Sequence, residues 1–216
     1  MGTVQATKLY RGVTLEDRRA QRRDALIRAA ILIYGERGYR RATVRAVCEA
    51  AGVTERYFYE SFRNSEALLV ASYQAVNARL GTRLQRAAAE CAGGPEARAA
   101  ALLHAYYGAL RESPDAARVF LVEIAGVSPA VDAVMTGALE RFGRLLADTI
   151  DPEGQGACDG EGAALLRAGV VGGVVHIALA WIAGGYAAPV AEVAAQATRL
   201  CAVLAPPSLA PDGARR

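Results

Sequence analysis

The stretch RYFYESF, which begins at Arg56, puts four aromatic side chains into seven positions. Phe58 and Phe62 are four residues apart, so on a helix they share one face, which suits packing against a core. Arg56, Tyr57 and Tyr59 then occupy the other faces. Guanidinium and phenol groups donate hydrogen bonds to phosphates and bases, so the pattern indicates a helix that binds nucleic acid. The alternative is an amphipathic helix whose polar side faces only solvent.

The residues before this stretch predict another short helix and a tight turn. Thr43 can cap a helix that runs to Ala51, and Gly52 breaks it because glycine adopts a positive φ at little cost. Thr54 can cap the next helix, which ends near Ser61. Two helices of about two turns joined by a glycine-containing turn make a helix-turn-helix.

A longer helix is predicted ahead of this motif, from Thr14 to a stop at Gly38. Asp17, three residues after Thr14, completes a variant capping box. Between these ends, apolar residues recur at helical spacing, so one side of the helix can pack against the helix-turn-helix.

Charge is unevenly distributed along the 216 residues. The net charge is +3, but residues 1–65 carry 13 Lys and Arg against 7 Asp and Glu, and the remainder is mildly acidic. A basic N-terminal third is typical of a module that binds a polyanion. A solvated basic helix face would show the same charge.

Composition argues against several classes of protein. Hydrophobic residues make up 53% of the chain, which is enough for a sizeable core. The four cysteines are widely separated, without a C-x-x-C pair, and only two histidines occur, so we expect neither a metal site nor a disulfide framework, and no cofactor. We find no nucleophile-base arrangement and no phosphate loop, and expect a protein that is not an enzyme. The N-terminus has no signal-peptide pattern, which favours a cytoplasmic location.

The run from Ala168 to Ala191 contains no Asp, Glu, Lys or Arg and raises the possibility of a membrane span. The pair Gly184 and Gly185 should end its helix, which leaves about 16 residues where a span needs about 20. A helix that is apolar on all sides is also found buried between neighbouring helices. We therefore favour burial in a protein interface and expect no membrane partner.

The segment from Thr43 to Leu69, TVRAVCEAAGVTERYFYESFRNSEALL, resembles the DNA-binding signature of TetR-type (tetracycline repressor-like) transcriptional regulators. The strong similarity covers about residues 22–69, and the rest of the chain is similar only as a helical body. The resemblance implies an all-α fold and a homodimer that binds a palindromic DNA operator. It also implies release of the operator when a small-molecule effector enters the body.

The resemblance assigns DNA contacts by position. Phosphates and bases would be contacted by Thr43, Arg45, Thr54, Arg56, Tyr57 and Tyr59. Ser61 stands where the family often has histidine, and Ser65 where it usually has a phosphate-binding lysine. Arg63 and the arm residues Lys8 and Arg11 could supply the charge that is missing there, the arm lying along the adjacent minor groove.

The expected organisation is a flexible basic arm over residues 1–13, a helix-turn-helix domain over 14–64, a helical effector-binding and dimerisation domain over 65–205, and a flexible tail over 206–216. Within the body, helices are predicted at about 95–111, 114–124, 129–149, 161–183 and 189–205. Candidate ligand-binding residues are Tyr73, His104, Tyr107, Phe120, Glu123, Phe142, His176 and Trp181, most of which could equally be ordinary core. Glu123 could meet a cationic ligand or pair with an arginine.

In the family the last two helices pair across a two-fold axis. By that resemblance the dimer interface would include Val170, Gly173, Val174, Ile177, Leu200 and Leu204. The sequence thus predicts a ligand-responsive transcriptional regulator, most simply a repressor released by a small hydrophobic effector. The alternative is a structural DNA-binding protein of the same fold that responds to no effector.

Overall fold

A computed structural model describes residues 14–153 and 161–204 of the chain. The predicted all-α fold is confirmed, since every regular element in these residues is helical. The helices are α1 (Leu15–Arg37), α2 (Val44–Ala51), α3 (Glu55–Ser61), α4 (Ser65–Glu90), α5 (Pro95–Glu112), α6 (Pro114–Arg118), α7 (Pro129–Ile150), α8 (Glu161–Ala183) and α9 (Val190–Cys201). Short 3-10 turns follow α1, at Tyr39–Arg41, and α9, at Ala202–Leu204. The predicted arm and tail lie outside the described residues.

The ends of α1 follow the capping rules read from the sequence. The Thr14 hydroxyl accepts the Asp17 backbone N–H at 3.0 Å, and the Asp17 carboxylate accepts the Thr14 N–H at 3.0 Å. The Thr14 hydroxyl also donates to the Asp17 carboxylate, and this bond, together with the one from the Thr14 N–H, lowers the pKa of Asp17. Gly38 ends the helix with φ +81°, a backbone conformation that residues other than glycine rarely adopt.

One predicted helix differs from its expectation. The segment predicted as a helix over 114–124 is α-helical only to Arg118, and Val119–Glu123 form a wider π-helical turn. Phe120, on this turn, is buried and stacks on Tyr73 with ring centroids 5.6 Å apart. Side-chain periodicity alone does not distinguish such a turn from α-helix, so the sequence did not predict it.

The chain divides into two compact units. Within the described residues the first comprises 14–76 and 114–131, and the second comprises 77–113, 132–153 and 161–204. The first unit therefore extends beyond the predicted helix-turn-helix domain, because it includes the start of α4 and because α6 and the turn after it pack against α1. Its core includes Leu26, Ala30, Tyr34, Phe58, Leu68 and Ile124. In the second unit α9 packs against α5 and α8.

Helices α1 and α6 approach each other closely at Gly35. A Cβ atom at this position would lie 2.5 Å from the Cα of Asp115 and 2.9 Å from its carbonyl oxygen. Because both atoms belong to backbone, neither can move aside without displacing a helix. Glycine is therefore required here by packing, and its φ is ordinary.

We expect Gly35→Ala to lower the free energy of unfolding of the first unit by at least about 1–3 kcal/mol, the usual cost of overpacking a core. Thermal and urea unfolding followed by circular dichroism measures the effect. Gly81→Ala in α4 is the matched control, because its Cβ would meet no atom within 4 Å. That change should be neutral or stabilising by up to about 1 kcal/mol. Equal midpoints for the two variants would contradict the packing role of Gly35.

Candidate nucleic-acid interface and ligand site

The turn between α2 and α3 has the geometry of a helix-turn-helix. Gly52 adopts the left-handed conformation with φ +66° and ψ 29°, and its N–H points back to the carbonyls of Cys48 and Glu49. The Val53 N–H also donates to the Cys48 carbonyl, at 3.0 Å. These bonds satisfy the last carbonyls of α2 and turn the chain into α3.

Two threonines precede the two helices, and their hydroxyls have different roles. The Thr43 Oγ1 accepts the N–H of Ala46 at 3.1 Å, which caps α2 and leaves the hydroxyl proton available to a phosphate oxygen. Thr54 occupies the cap position of α3 with extended backbone, but its side chain makes no capping hydrogen bond. Both threonines are exposed. Thr43 is thus a fixed donor, whereas Thr54 keeps its hydroxyl free to rotate.

Helix α3 has one buried and one exposed side. Phe58 is completely buried, and Phe62, the first residue after the helix, is 5% exposed. Tyr59 is 60% exposed and Tyr57 36% exposed, and Arg56 is also at the surface. The helix therefore presents two phenols and a guanidinium while its phenylalanines hold it to the unit.

Arg45 and Arg56, two of the arginines that the sequence assigns to DNA, each form an ion pair on their own helix. The Arg45 Nε lies 2.9 Å from Glu49 Oε1, and the Arg56 Nε lies 3.2 Å from Glu60 Oε1. The side chains of Arg45 and Arg56 are 78% and 85% exposed. Such exposed pairs contribute about 0–1 kcal/mol, so they orient the guanidinium groups without preventing contact with a phosphate or base.

A contact from α1 that the sequence did not suggest holds one side of Tyr57. The guanidinium carbon of Arg22 lies 4.2 Å from the centre of the Tyr57 ring. Stacking of this kind contributes about 0.5–1 kcal/mol at exposed sites and restricts the ring. Arg22 lies 35 positions earlier in the chain, so only the fold brings the two together.

The remaining predicted DNA-binding residues lie around the junction of α3 and α4. Ser61 is half-buried at the end of α3, and Arg63 is exposed. The Asn64 side chain accepts the Ala67 N–H at 2.8 Å and so caps α4. Lys8 and Arg11 lie outside the described residues, so their contact with DNA stays a prediction.

Cys48 is a structural residue of the turn. It is 3% exposed, and burial, together with the charges of Glu55 and Glu49, raises the pKa of its thiol. A protonated, buried thiol is a poor nucleophile, so Cys48 serves as a small hydrophobe. Among the described residues no cluster of three His, Cys, Asp or Glu could hold a metal ion.

Most candidate ligand residues of the second unit belong to a packed aromatic cluster. The Tyr107 hydroxyl donates to the Val174 carbonyl at 2.9 Å, and the Trp181 Nε1 donates to the Ala188 carbonyl at 3.0 Å. Their rings meet edge to face, with centroids 5.9 Å apart. Phe142 stacks on Tyr106 in the same unit. Tyr107 and Trp181 are thus satisfied core residues.

The candidates of the first unit are also occupied by structural contacts. Tyr73 and Phe120 stack on each other. Glu123 accepts the Tyr39 backbone N–H at 2.7 Å and lies 2.9 Å from the Arg118 Nε. Of the two alternatives for Glu123, the structure favours pairing with an arginine.

Neither histidine on the list of ligand candidates lies in an interior. His104 on α5 and His176 on α8 are both exposed, although each sits in an apolar stretch of sequence. A helix that is apolar on all sides does not reveal which side faces inward, which explains these two placements.

A different part of the second unit contains a cavity of about 420 Å³, between α7 and α8. Its lining is mostly small and apolar, including Leu139, Gly143, Ala168 and Val171. Its charged lining residues are two arginines, Arg144 and Arg167, and one acid, Glu140. None of the eight candidate ligand residues is among its lining. The volume lies within the usual range for small-molecule sites, about 300–1,000 Å³.

The predicted dimer residues divide into two sets. Val170, Val174 and Leu204 are buried inside the described chain, and Gly173 is covered by Leu200, whose Cδ1 would lie 3.0 Å from an added Cβ. Ile177 is half-buried, and Leu200 itself is 41% exposed. The outward face of α8 instead carries Leu165, Gly169, Gly172, His176 and Ala183, of which Gly172 also lines the cavity between α7 and α8. By length and composition alone, Gly162–Ala183 is also apolar enough to cross a membrane.

Comparison with protein families identifies the DNA-binding part. Residues 26–71 match the family described as bacterial regulatory proteins, tetR family. The match spans the second half of α1 and all of the helix-turn-helix whose caps and turn are described above. These residues form a DNA-binding domain of the TetR family. This family consists of DNA-binding regulators and not of enzymes.

Solved structures of bacterial regulators share the fold of this chain at low sequence identity. The fatty acid degradation regulator FadR from Bacillus halodurans is 19% identical, with a TM-score of 0.72, over 83% of this chain and 94% of that one. FadR from Bacillus subtilis, in complex with stearoyl-CoA, is 18% identical, with a TM-score of 0.72, over 82% and 96%. A TetR-like regulator from Rhodococcus sp. RHA1 is 18% identical, with a TM-score of 0.66, over 90% and 96%. A comparison with curated proteins finds no match.

Substitutions on the exposed side of α3 distinguish contacts to DNA bases from contacts to the DNA backbone. Arg56→Ala and Tyr57→Ala should weaken binding to a selected operator more than binding to random duplex DNA, because a bidentate base contact is worth about 1–3 kcal/mol of discrimination. Thr43→Ala should weaken both, since its donor suits a phosphate. Fluorescence anisotropy at fixed salt gives both affinities. Equal losses on the two DNAs for Arg56→Ala would assign that side chain to the backbone.

Proposed function

We propose that this protein is a cytoplasmic, homodimeric repressor that binds a palindromic operator and leaves it when a small hydrophobic effector binds. The observation that carries the DNA-binding part is the division of α3, whose phenylalanine is buried while Arg56, Tyr57 and Tyr59 are at the surface. A helix held in this way can enter the major groove with its polar side towards the bases. Two copies related by a two-fold axis would require an inverted repeat, with half-sites about one DNA turn or a multiple apart.

The cavity between α7 and α8 supports the proposed class of effector. Apolar side chains suit a hydrocarbon chain, and the guanidinium groups of Arg144 and Arg167 suit an anionic end. The structural similarity to two fatty-acid regulators, one of them in complex with stearoyl-CoA, makes acyl thioesters the first compounds to test. The proposed effector is therefore a molecule with a long acyl chain and an anionic group.

The operator should first be selected from random and genomic DNA with purified protein. Acyl-CoA esters of increasing chain length are then titrated into the protein–operator complex, and release is followed by anisotropy. Release at micromolar concentration by long chains, but not by coenzyme A alone, is the expected result. An operator complex that persists with every compound would favour the alternative, a structural DNA-binding protein without an effector of this class.

Substitution of Arg144 tests the location of the effector site. Arg144→Ala should weaken release by an anionic acyl effector about tenfold or more, since charged hydrogen bonds contribute about 1.5–3 kcal/mol, while operator affinity without effector stays unchanged. Arg141→Ala is the control, because Arg141 is an exposed arginine of the same helix that does not line the cavity. Identical effector response in the two variants would place the site elsewhere.

We propose that the outward face of α8 forms the dimer contact. This face is uncharged and contains Gly169, where an added Cβ would meet nothing within 4 Å of the chain itself. Val174, in contrast, is fully buried and its carbonyl accepts the Tyr107 hydroxyl, so a charge there would disturb the fold of one chain. The interface is therefore best tested at an outward position.

Gly169→Arg should fold but fail to dimerise, because it places an unpaired charge in an apolar contact. Analytical ultracentrifugation at micromolar concentration should give a dimer for the wild type and a monomer for the variant, with equal helical content. Gly81→Arg is the matched control, since a Cβ there also meets open space. A dimeric Gly169→Arg protein would exclude this face, and a monomeric wild type would exclude the dimer.

A further inference from the structure

Helix α1 changes character along one face. In its second half this face carries Leu26, Ala30 and Tyr34, which are buried in the core of the first unit. With about 100° between successive residues, the same face continues towards the N-terminus as Arg19, Arg22 and Arg23. The face of α1 that is apolar in the second half of the helix therefore carries a row of guanidinium groups in the first half.

These arginines line a cleft of about 510 Å³ between α1 and the junction of α3 and α4. Arg63, which follows α3, lies on the opposite wall, and Phe62 and Glu60 also line the cleft. The carboxylate of Glu60 binds the Arg56 Nε at 3.2 Å. Within the described residues none of the four cleft arginines forms an ion pair, so four positive charges share one cleft without a partner carboxylate.

Two of the guanidinium groups are held in place by aromatic rings. The Arg23 guanidinium carbon lies 4.3 Å from the centre of the Phe62 ring, and that of Arg22 lies 4.2 Å from the centre of the Tyr57 ring. A stacked guanidinium keeps its N–H groups free at the edge of its plane, the direction in which arginine binds phosphate oxygens. The cleft is thus charged and partly ordered before any ligand arrives.

We propose that this cleft binds one backbone phosphate of the operator, next to the major-groove contact of α3. The inference rests on the proposed DNA-binding function and adds α1 to the protein–DNA interface. The cleft adjoins the C-terminal end of α3, where Ser61 and Phe62 contribute to its lining, so a strand bound by α3 passes its mouth. It supplies the positive charge that Ser65, in place of a lysine, does not.

Removal of two cleft charges from α1 tests the proposal. Arg19→Ala/Arg23→Ala should reduce the magnitude of the slope of log K against log salt by about 0.9 for each protomer, or about 1.8 for a dimer on two half-sites. Arg28→Ala is the control because Arg28 is exposed about 180° around the same helix from Arg19. It should leave the slope nearly unchanged.

Ethylation of single operator phosphates identifies the contact directly. In the wild type, ethylation of one phosphate per half-site beside the α3 contact should block binding, and this interference should disappear in Arg19→Ala/Arg23→Ala. Interference that persists in this variant, or a slope equal to that of Arg28→Ala, would overturn the proposal. The proposal would also be overturned if inorganic phosphate binds in the cleft of the wild type while these arginines have no effect on operator binding. The cleft would then be a site for a free anion.

Two further measurements test the role of the cleft separately from the proposed DNA-binding function. If loss of Arg23 lowers helical content, Arg19→Ala/Arg63→Ala replaces the first double variant. It removes two cleft charges but no ring contact, so the salt slope and the ethylation interference can be measured in the same way. Wild-type protein that selects no preferred sequence from random DNA would refute the proposed function itself. A wild type that selects an operator, combined with an unchanged slope in both double variants, would refute only the role of the cleft.

Discussion

The burial of Phe58 is the contact on which the DNA-binding surface depends. Removing this ring from water contributes about 1.5–3 kcal/mol, and it fixes the rotation of α3 about its own axis. Once Phe58 points inward, Arg56 and Tyr59 must point outward, because a helix advances about 100° per residue. A short helix of seven residues has little stability of its own, so α1 and α2 supply both its order and its orientation.

A second set of contacts ties residues 114–131 to the start of the helix-turn-helix. Glu123 binds the Tyr39 N–H, directly after the glycine that ends α1, and also pairs with Arg118. Phe120, on the same π-helical turn, stacks on Tyr73 of α4. This turn therefore cannot change its conformation without losing a charged hydrogen bond to the backbone before α2 or a ring contact with α4. Few residues thus define both the start of α2 and the packing of α4.

The parts of the structure that were predictable from sequence obey local rules. Thr14, Gly38, Thr43 and Gly52 mark helix ends through hydrogen bonds to residues at most five positions away, so spacing alone identifies them. The contact of Arg22 with Tyr57 and the inclusion of residues 114–131 in the first unit depend on long-range packing. Orientation was least predictable in the uncharged part of α8 that begins at Ala168. Helix periodicity places Val174 and His176 on opposite faces, but the sequence does not show which of the two faces is buried.

The glycines of α8 indicate what kind of surface packs against the outward face of that helix. Glycine within a helix is less favourable than alanine by about 0.8–1 kcal/mol, so each one needs a compensating reason. For Gly173 the reason lies within the chain, since the Leu200 side chain packs directly against it. Gly169 and Gly172 have nothing within 4 Å of an added Cβ, so contacts within one described chain do not require them. Close approach of another helix backbone would require them, because only glycine allows two helix axes to come so near. The exposed glycines thus favour a second α8 as the surface that packs there, and a two-fold axis through that contact would give the pair of α3 helices the symmetry of an inverted repeat.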